Sequence, residues 1–221
     1  MNDRLSGSSD SSILSIYNAI KTDIDRRLAE FARLWETGGD IDVFMELCFC
    51  TCTPQNDARK AWNAVLNLHE TGLMENGEHS GMAEALRGHG VRFHRNKAAY
   101  IIANRNIFYP DTKNKLSAVI KNKSLIEARD TLRKEVSGWG LKEASHFLRN
   151  VGKGAGVCIL DRHILRQLAL YGVISEVPAS ITDRLYHEIE QKMLVFAEKE
   201  AVPPDALDLV FWYKEKNELF K

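Results

Sequence analysis

No apolar run in the chain approaches the roughly 20 residues that a membrane-crossing helix needs, so no membrane partner is expected. Cysteine is scarce: Cys48, Cys50, Cys52 and Cys158 are the four among 221 residues. They form no C-x-x-C pair and no spacing typical of a secreted disulfide framework, and they read as reduced, buried thiols. Cys48 and Cys52 would share a helix face, but no histidine pair at zinc-finger spacing completes a metal site. The C-terminal half also lacks the four-cysteine run of an iron–sulfur cluster. Alternation of apolar and polar residues, the mark of a half-buried strand, is nearly absent. Net charge is absent too, with 30 basic residues against 30 acidic ones.

What is present is helical periodicity. Ile13, Ile16, Tyr17, Ile20, Ile24, Leu28, Phe31 and Trp35 step by three and four after a serine-rich start that can cap a helix. Gly38-Gly39-Asp40 ends that pattern. The more uniformly apolar stretch 41–52 follows, as expected of a central buried helix. Thr53-Pro54-Gln55-Asn56 breaks it and leads into a helix over 57–68. Glu75-Asn76-Gly77, Gly88 and Gly90 read as loop chemistry. Further helices are predicted over 92–106, 124–136, 141–151, 161–171, 180–200 and 204–220. The fold class is therefore all-α. Residues 1–12, rich in serine and without a basic start followed by an apolar core, are expected to be a disordered lead-in to a cytoplasmic protein, with one domain over 13–221. A monomer is expected, since no long apolar stripe is left over once the helices pack.

The zero net charge conceals a basic middle. Residues 86–123 carry nine lysines and arginines against Asp111 alone, and residues 133–166 carry seven against Glu135, Glu143 and Asp161. Such a distribution can present one positive face to a phosphate backbone, although ordinary solvated helix faces give the same count.

The most informative stretch is 124–168. Ser137-Gly138-Trp139-Gly140 separates two amphipathic patterns, and glycines on both sides of one bulky residue permit a tight hairpin. Amides at the start of the following helix are a natural seat for phosphate oxygen. Lys142 comes directly after the hairpin. Asp161 comes 19 residues later, beyond Gly152, Gly154 and Gly156 in a loop able to fold the next helix back toward the lysine. Taken singly, Asp161 reads as a helix N-cap and Lys142 as a surface or phosphate-contacting lysine.

The pattern x-G-x-G-x-K followed by a glycine loop and an aspartate resembles the helix-hairpin-helix DNA glycosylase superfamily. Four stretches in order resemble more closely its second class of 8-oxoguanine glycosylases, known in archaea and some bacteria: 44–50, Arg92-Phe93-His94-Arg95-Asn96-Lys97, 142–150 and 160–165. The resemblance implies two interlocked helical subdomains around a cleft, with the hairpin element at about 124–151. It implies that Lys142 is the nucleophile and Asp161 its carboxylate partner. Phe93 and Trp212 would sandwich the base, and the terminal Lys221 would reach it. Gly138, Trp139, Gly140, Arg95, Lys97 and Arg162 are the candidate DNA contacts. Thr53-Pro54-Gln55-Asn56 does not align with the family's strand-wedging segment, which leaves the wedge unassigned.

The chemistry is coherent on its own terms. Excision coupled to nicking needs an amine that attacks C1′ and a carboxylate that stabilises positive charge on the sugar, and reaching C1′ requires the nucleotide to be turned out of the duplex. Lysine is a poor nucleophile while protonated, so desolvation or a neighbouring cation such as Arg162 is expected to help Lys142. The expected partner is double-stranded DNA containing 8-oxoguanine. No organic cofactor is required, while the superfamily resemblance allows a monovalent cation at the hairpin carbonyls. Two other readings remain open: a glycosylase of the same fold for another damaged or mismatched base, and a helical DNA-binding protein without catalysis. His146 and His163 lie close to the two candidate catalytic residues but are given no catalytic role.

Overall fold

A computed structural model of the protein describes residues 12–220; the expected lead-in over 1–11 and Lys221 lie outside the described residues. Twelve α-helices, and no strand, account for the secondary structure of the described part. α1 (Ile13–Thr37) starts where Ser12 accepts the Ser15 N–H at 3.2 Å, which satisfies one of the open amides of its first turn. It is long because its buried residues Ile13, Tyr17, Ile20, Ile24 and Phe31 follow one stripe.

The chain then builds two cores. The first gathers α2 (Asp40–Cys52), α3 (Ala58–Glu70), α4 (Leu73–Asn76), α5 (His79–Gly88), α6 (His94–Phe108), α7 (Thr112–Ile120), α8 (Leu125–Glu135) and much of α9 (Leu141–Asn150). Its centre is α2, ten of whose residues are buried, from Val43 to Cys52. The second core joins the first half of α1 to α10 (Arg162–Leu170), α11 (Asp183–Lys199) and α12 (Pro204–Lys216). Two helices belong to both. α1 gives Ile13 to Ile24 to the second core and packs Leu34 and Trp35 on the first, while α9 gives Leu141 to the second and Ala144, Phe147 and Leu148 to the first. The halves are interlocked because these helices cross from one to the other, and the seam between them is open on one side.

Four helices depart from the sequence expectation, the single-turn α4 among them, on residues read as loop. α5 occupies residues assigned to loop, because Met82, Ala83 and Leu86 bury one face of it despite Gly81 and Gly88; tertiary burial outweighs the glycine cost. α7 lies where no element was expected and buries Thr112 and Leu116. α12 stops at Lys216, where Asn217 turns left-handed at φ 53°, so the last residues leave the helix axis and carry Phe220 back to the edge of the first core. The four cysteines are free and buried, as expected.

The glycine loop after α9 has a defined reason for its composition. Gly152 sits at φ +70°, and a Cβ there would come within 2.5 Å of Ala32 Cα on α1. Gly152→Ala combines left-handed strain with a backbone clash and is expected to cost about 2–5 kcal/mol, measurable as a fall in urea midpoint at unchanged slope.

Candidate active site

A cleft of about 340 Å³ opens along the seam. One wall is the turn after α2, residues Thr53 to Ala58. The floor is α9, through Lys142, His146 and Arg149. The other wall is Ile159 to Ile164 together with Asp208, Leu209, Trp212 and Lys216 of α12. Lys142, Asp161 and Trp212, far apart in sequence, therefore face one space.

Lys142 stands in the first turn of α9, directly beyond the hairpin. Gly138 holds φ +84°, and a Cβ there would strike the Tyr100 ring at 2.3 Å, so the tight turn needs this glycine. The lysine side chain is 20% exposed. Its Nζ donates to Thr53 Oγ1 at 3.2 Å and lies 3.2 Å from Glu143 Oε1, while the other oxygen of Glu143 accepts the Gly140 N–H at 2.9 Å. Asp161 is the N-cap of α10, and its Oδ1 accepts the Ile164 N–H at 2.9 Å. Capping occupies one carboxylate oxygen and leaves the other for the cleft. Trp212 is half-buried, and the His163 ring stands edge-on to it at 5.4 Å with Nδ1 at 2.6 Å from Glu215 Oε2. His163 thus braces an aromatic wall.

Other expected site residues fall elsewhere. Phe93 does not line this cleft: it precedes α6 with a left-handed φ of 56°, is 52% exposed, and carries the Arg92 guanidinium 5.6 Å over its ring. The Trp139 ring points inward, 7% exposed, with Nε1 donating to Thr51 Oγ1 at 2.9 Å and its ring against Phe147. Its amide already meets the Val136 carbonyl. Trp139 therefore anchors the hairpin to α2 instead of offering a side chain to DNA. Arg95 is exposed at the start of α6, as a phosphate contact requires. Arg162 lines the cleft but spends two donors on the carbonyls of Pro178 and Ala179.

Lys97 is a clear departure from its expected role at the DNA surface. It is 4% exposed, and Nζ donates to the carbonyls of Cys52 at 2.8 Å and Pro54 at 2.9 Å. These carbonyls are left open by the end of α2, where a cation is favoured. Asn56 supports the same turn, donating to Cys52 and Pro54 and accepting the Arg92 N–H at 2.7 Å. Gln55 is left exposed on the cleft rim at φ 57°. Burial is the main cause that pulls the Lys97 pKa from its ordinary 10.5 to about 8, helped by the nearby Lys142 ammonium. Between those values the unfolded chain binds more protons than the folded one, so stability rises with pH across the window and the burial cost is fully felt below it. Relative to Lys97→Met, the wild type is expected to gain up to about 3 kcal/mol as pH rises from 8 to 10.5, read from urea unfolding at both ends.

Two residues of the cleft were not expected. Arg149 Nη2 pairs with Asp208 Oδ2 at 3.1 Å, both nearly buried, with the guanidinium 4.8 Å from the Phe31 ring centroid. Burial pushes the Asp208 carboxyl above its ordinary range even beside this cation. Asp208 Oδ1 has no hydrogen-bond partner among the described residues. The sequence signal for it was a carboxylate inside the apolar run Ala206-Leu207-Asp208-Leu209-Val210, where an acid is costly unless it serves a site.

An amine on the floor and a carboxylate on the wall of one interhelical cleft, placed there by a glycine hairpin and a helix N-cap, fit a DNA glycosylase of the helix-hairpin-helix class. Residues 24–202 match the family model described as 8-oxoguanine DNA glycosylase, and the chain belongs to that family. It is 41% identical over 213 residues to the 8-oxoguanine DNA glycosylase/AP lyase of Fusobacterium nucleatum, covering 95% of this chain and 96% of that one. It is 35% identical over 202 residues to its counterpart of the same name in Methanocaldococcus jannaschii, covering 91% and 93%. Among solved structures, the Thermotoga maritima 8-oxoguanine DNA glycosylase superposes with a TM-score of 0.83 at 32% identity, covering 95% and 96%. The M. jannaschii enzyme in complex with a 15mer DNA containing 8-oxoguanine also reaches 0.83, at 31% identity, covering 95% and 99%.

Proposed function

We propose that this protein excises 8-oxoguanine from duplex DNA and then nicks the strand, acting as a monomer with no organic cofactor. The observation that carries the reading is the shared cleft of Lys142 and Asp161. Lys142, as the neutral amine, attacks C1′; the C1′–N9 bond breaks, and the base leaves with the bonding pair and takes up a proton. The sugar ring then opens to an iminium on Lys142, a C2′ proton is lost, and the 3′ phosphate is eliminated. Asp161 stabilises the positive charge that develops on the sugar in the first step.

The base would enter beside Trp212, whose ring offers a flat apolar face. The unpartnered Asp208 oxygen suits the N–H groups on the guanine Watson–Crick edge. Phe93 would complete a sandwich only by turning in from its exposed position. Duplex DNA would be held by the first-turn amides of α9 and by Arg95. A monovalent cation at the hairpin would share the carbonyls of Val136 and Ser137, which already accept from the Trp139 N–H and Asn104 Nδ2; each keeps one lone pair for it.

Borohydride trapping tests the reading on duplexes that carry one 8-oxoguanine, one abasic site or no lesion. The expected result is a covalent adduct with the first two and none with the third. Adduct on the abasic duplex alone would move the substrate to another base, and no adduct anywhere would leave a helical DNA-binding protein.

A further inference from the structure

The segment that delivers Asp161 to the cleft belongs to no helix. Residues 157–160 run from the glycine loop to α10 and are held by one face of α11. Glu190 Oε1 accepts the Cys158 N–H at 2.9 Å, and the Tyr186 hydroxyl donates to the Cys158 carbonyl at 2.6 Å while facing the Leu160 N–H at 3.4 Å. The same Glu190 oxygen accepts Arg129 Nη1 at 2.5 Å, and this ion pair is sealed from solvent, at 0% and 1% exposure. Arg129 belongs to α8, the helix that enters the hairpin. Ser145, on α9 one turn beyond Lys142, lies 3.5 Å from Arg129 Nη1 and is hydrogen-bonded to the Tyr186 hydroxyl. The lysine's helix therefore meets Tyr186 through Ser145, and Glu190 by way of Arg129, while the aspartate's strap meets both directly.

We propose that Tyr186 and Glu190 are positioning residues that fix Asp161 against Lys142, and that through this geometry they set the balance between base excision and strand nicking. The proposal rests on the functional reading above. Neither residue lines the cleft, so neither touches DNA; both act through the strap. A buried ion pair adds little net stability, because desolvation offsets its attraction, whereas breaking one partner leaves the other stranded. What this pair supplies is a fixed register between two backbone segments. The two chemical steps depend on that register unequally. Excision needs the Asp161 charge close to C1′ as the sugar becomes cationic. Attack of Lys142 on the aldehyde of a preformed abasic site breaks no glycosidic bond; its iminium forms afterwards by loss of water, with the charge carried on the lysine nitrogen, so this route leans far less on the Asp161 charge.

Tyr186→Phe removes the hydroxyl and keeps the ring; Glu190→Gln keeps an acceptor for the Cys158 N–H and removes the charge. Each is compared with the wild type and Asp161→Asn under single turnover, on a duplex carrying 8-oxoguanine and on one carrying an abasic site, with DNA affinity measured in parallel. The expected result is excision slower by roughly 10- to 100-fold, the loss that follows from misplacement of about 1 Å, with abasic-site nicking and affinity close to wild type. Asp161→Asn should show the same skew. Equal loss of both activities, or loss of neither, in Tyr186→Phe and Glu190→Gln while Asp161→Asn is skewed overturns the strap proposal alone. An unskewed Asp161→Asn removes the assigned role of Asp161 and the strap's role with it.

Discussion

With Lys142 replaced by glutamine, borohydride leaves no covalent protein–DNA adduct on a duplex carrying 8-oxoguanine, and single-turnover base release falls by roughly 10³-fold or more, as expected when a covalent enzyme loses its nucleophile. The fold should survive the change. Lys142 is only partly buried, its Nζ meets Thr53 Oγ1 and Glu143 Oε1, and the glutamine amide can donate to both. Glu143 keeps its bond to the Gly140 amide, so the hairpin and its grip on DNA are unaffected. Loss of adduct with normal DNA binding would therefore report on chemistry and not on folding. The informative contrary outcome is base release that persists without an adduct. Water would then be the attacking group, and the nicking activity would have to be dropped from the proposed function.

The sequence exposed the proposed catalytic pair because the family motif singles out both members and local rules place them. A lysine directly after a glycine hairpin stands in the first turn of the next helix, and an aspartate before Arg162-His163-Ile164-Leu165 caps the one after that. The long helices were legible for a similar reason, since α1, α9 and α11 each carry a sustained apolar stripe. What stayed hidden is decided between elements far apart in the chain. Nothing local distinguishes Lys97 from Arg95, yet one is swallowed by carbonyls 43 and 45 residues earlier and the other faces solvent. Trp139 looked available on a glycine turn, but Thr51 claims its indole N–H from 88 residues away. Phe93 illustrates the converse: the family motif supplies its role, while its left-handed backbone sets where it stands without DNA. α5 was obscured by two glycines that its buried face overrides.

Asp161→Asn is the substitution that separates charge from architecture. Asparagine caps a helix as well as aspartate does, so its side-chain oxygen can still accept the Ile164 N–H now held at 2.9 Å, and thermal stability should stay within about 0.5 kcal/mol of wild type. The strap through Cys158 and Leu160 is also untouched. Only the negative charge facing the sugar disappears. Electrostatic stabilisation of a developing cation in a cleft closed over by bound DNA is worth several kcal/mol, and its removal should slow excision by roughly 10²- to 10³-fold. The abasic duplex should still give adduct through Lys142. Single-turnover release of 8-oxoguanine, followed alongside trapping on the abasic duplex, reads both at once. If excision proceeds at the wild-type rate, Asp161 is a helix cap and nothing more. The developing charge would then have to be met by another carboxylate in the cleft, and Asp208 is the one the structure offers, with an unpartnered oxygen on the same wall. Burial raises the Asp208 carboxyl above its ordinary range. Excision would in that case be lost at a higher pH on acidification than a carboxylate of ordinary pKa allows, and the pH profile of Asp161→Asn would separate the two assignments.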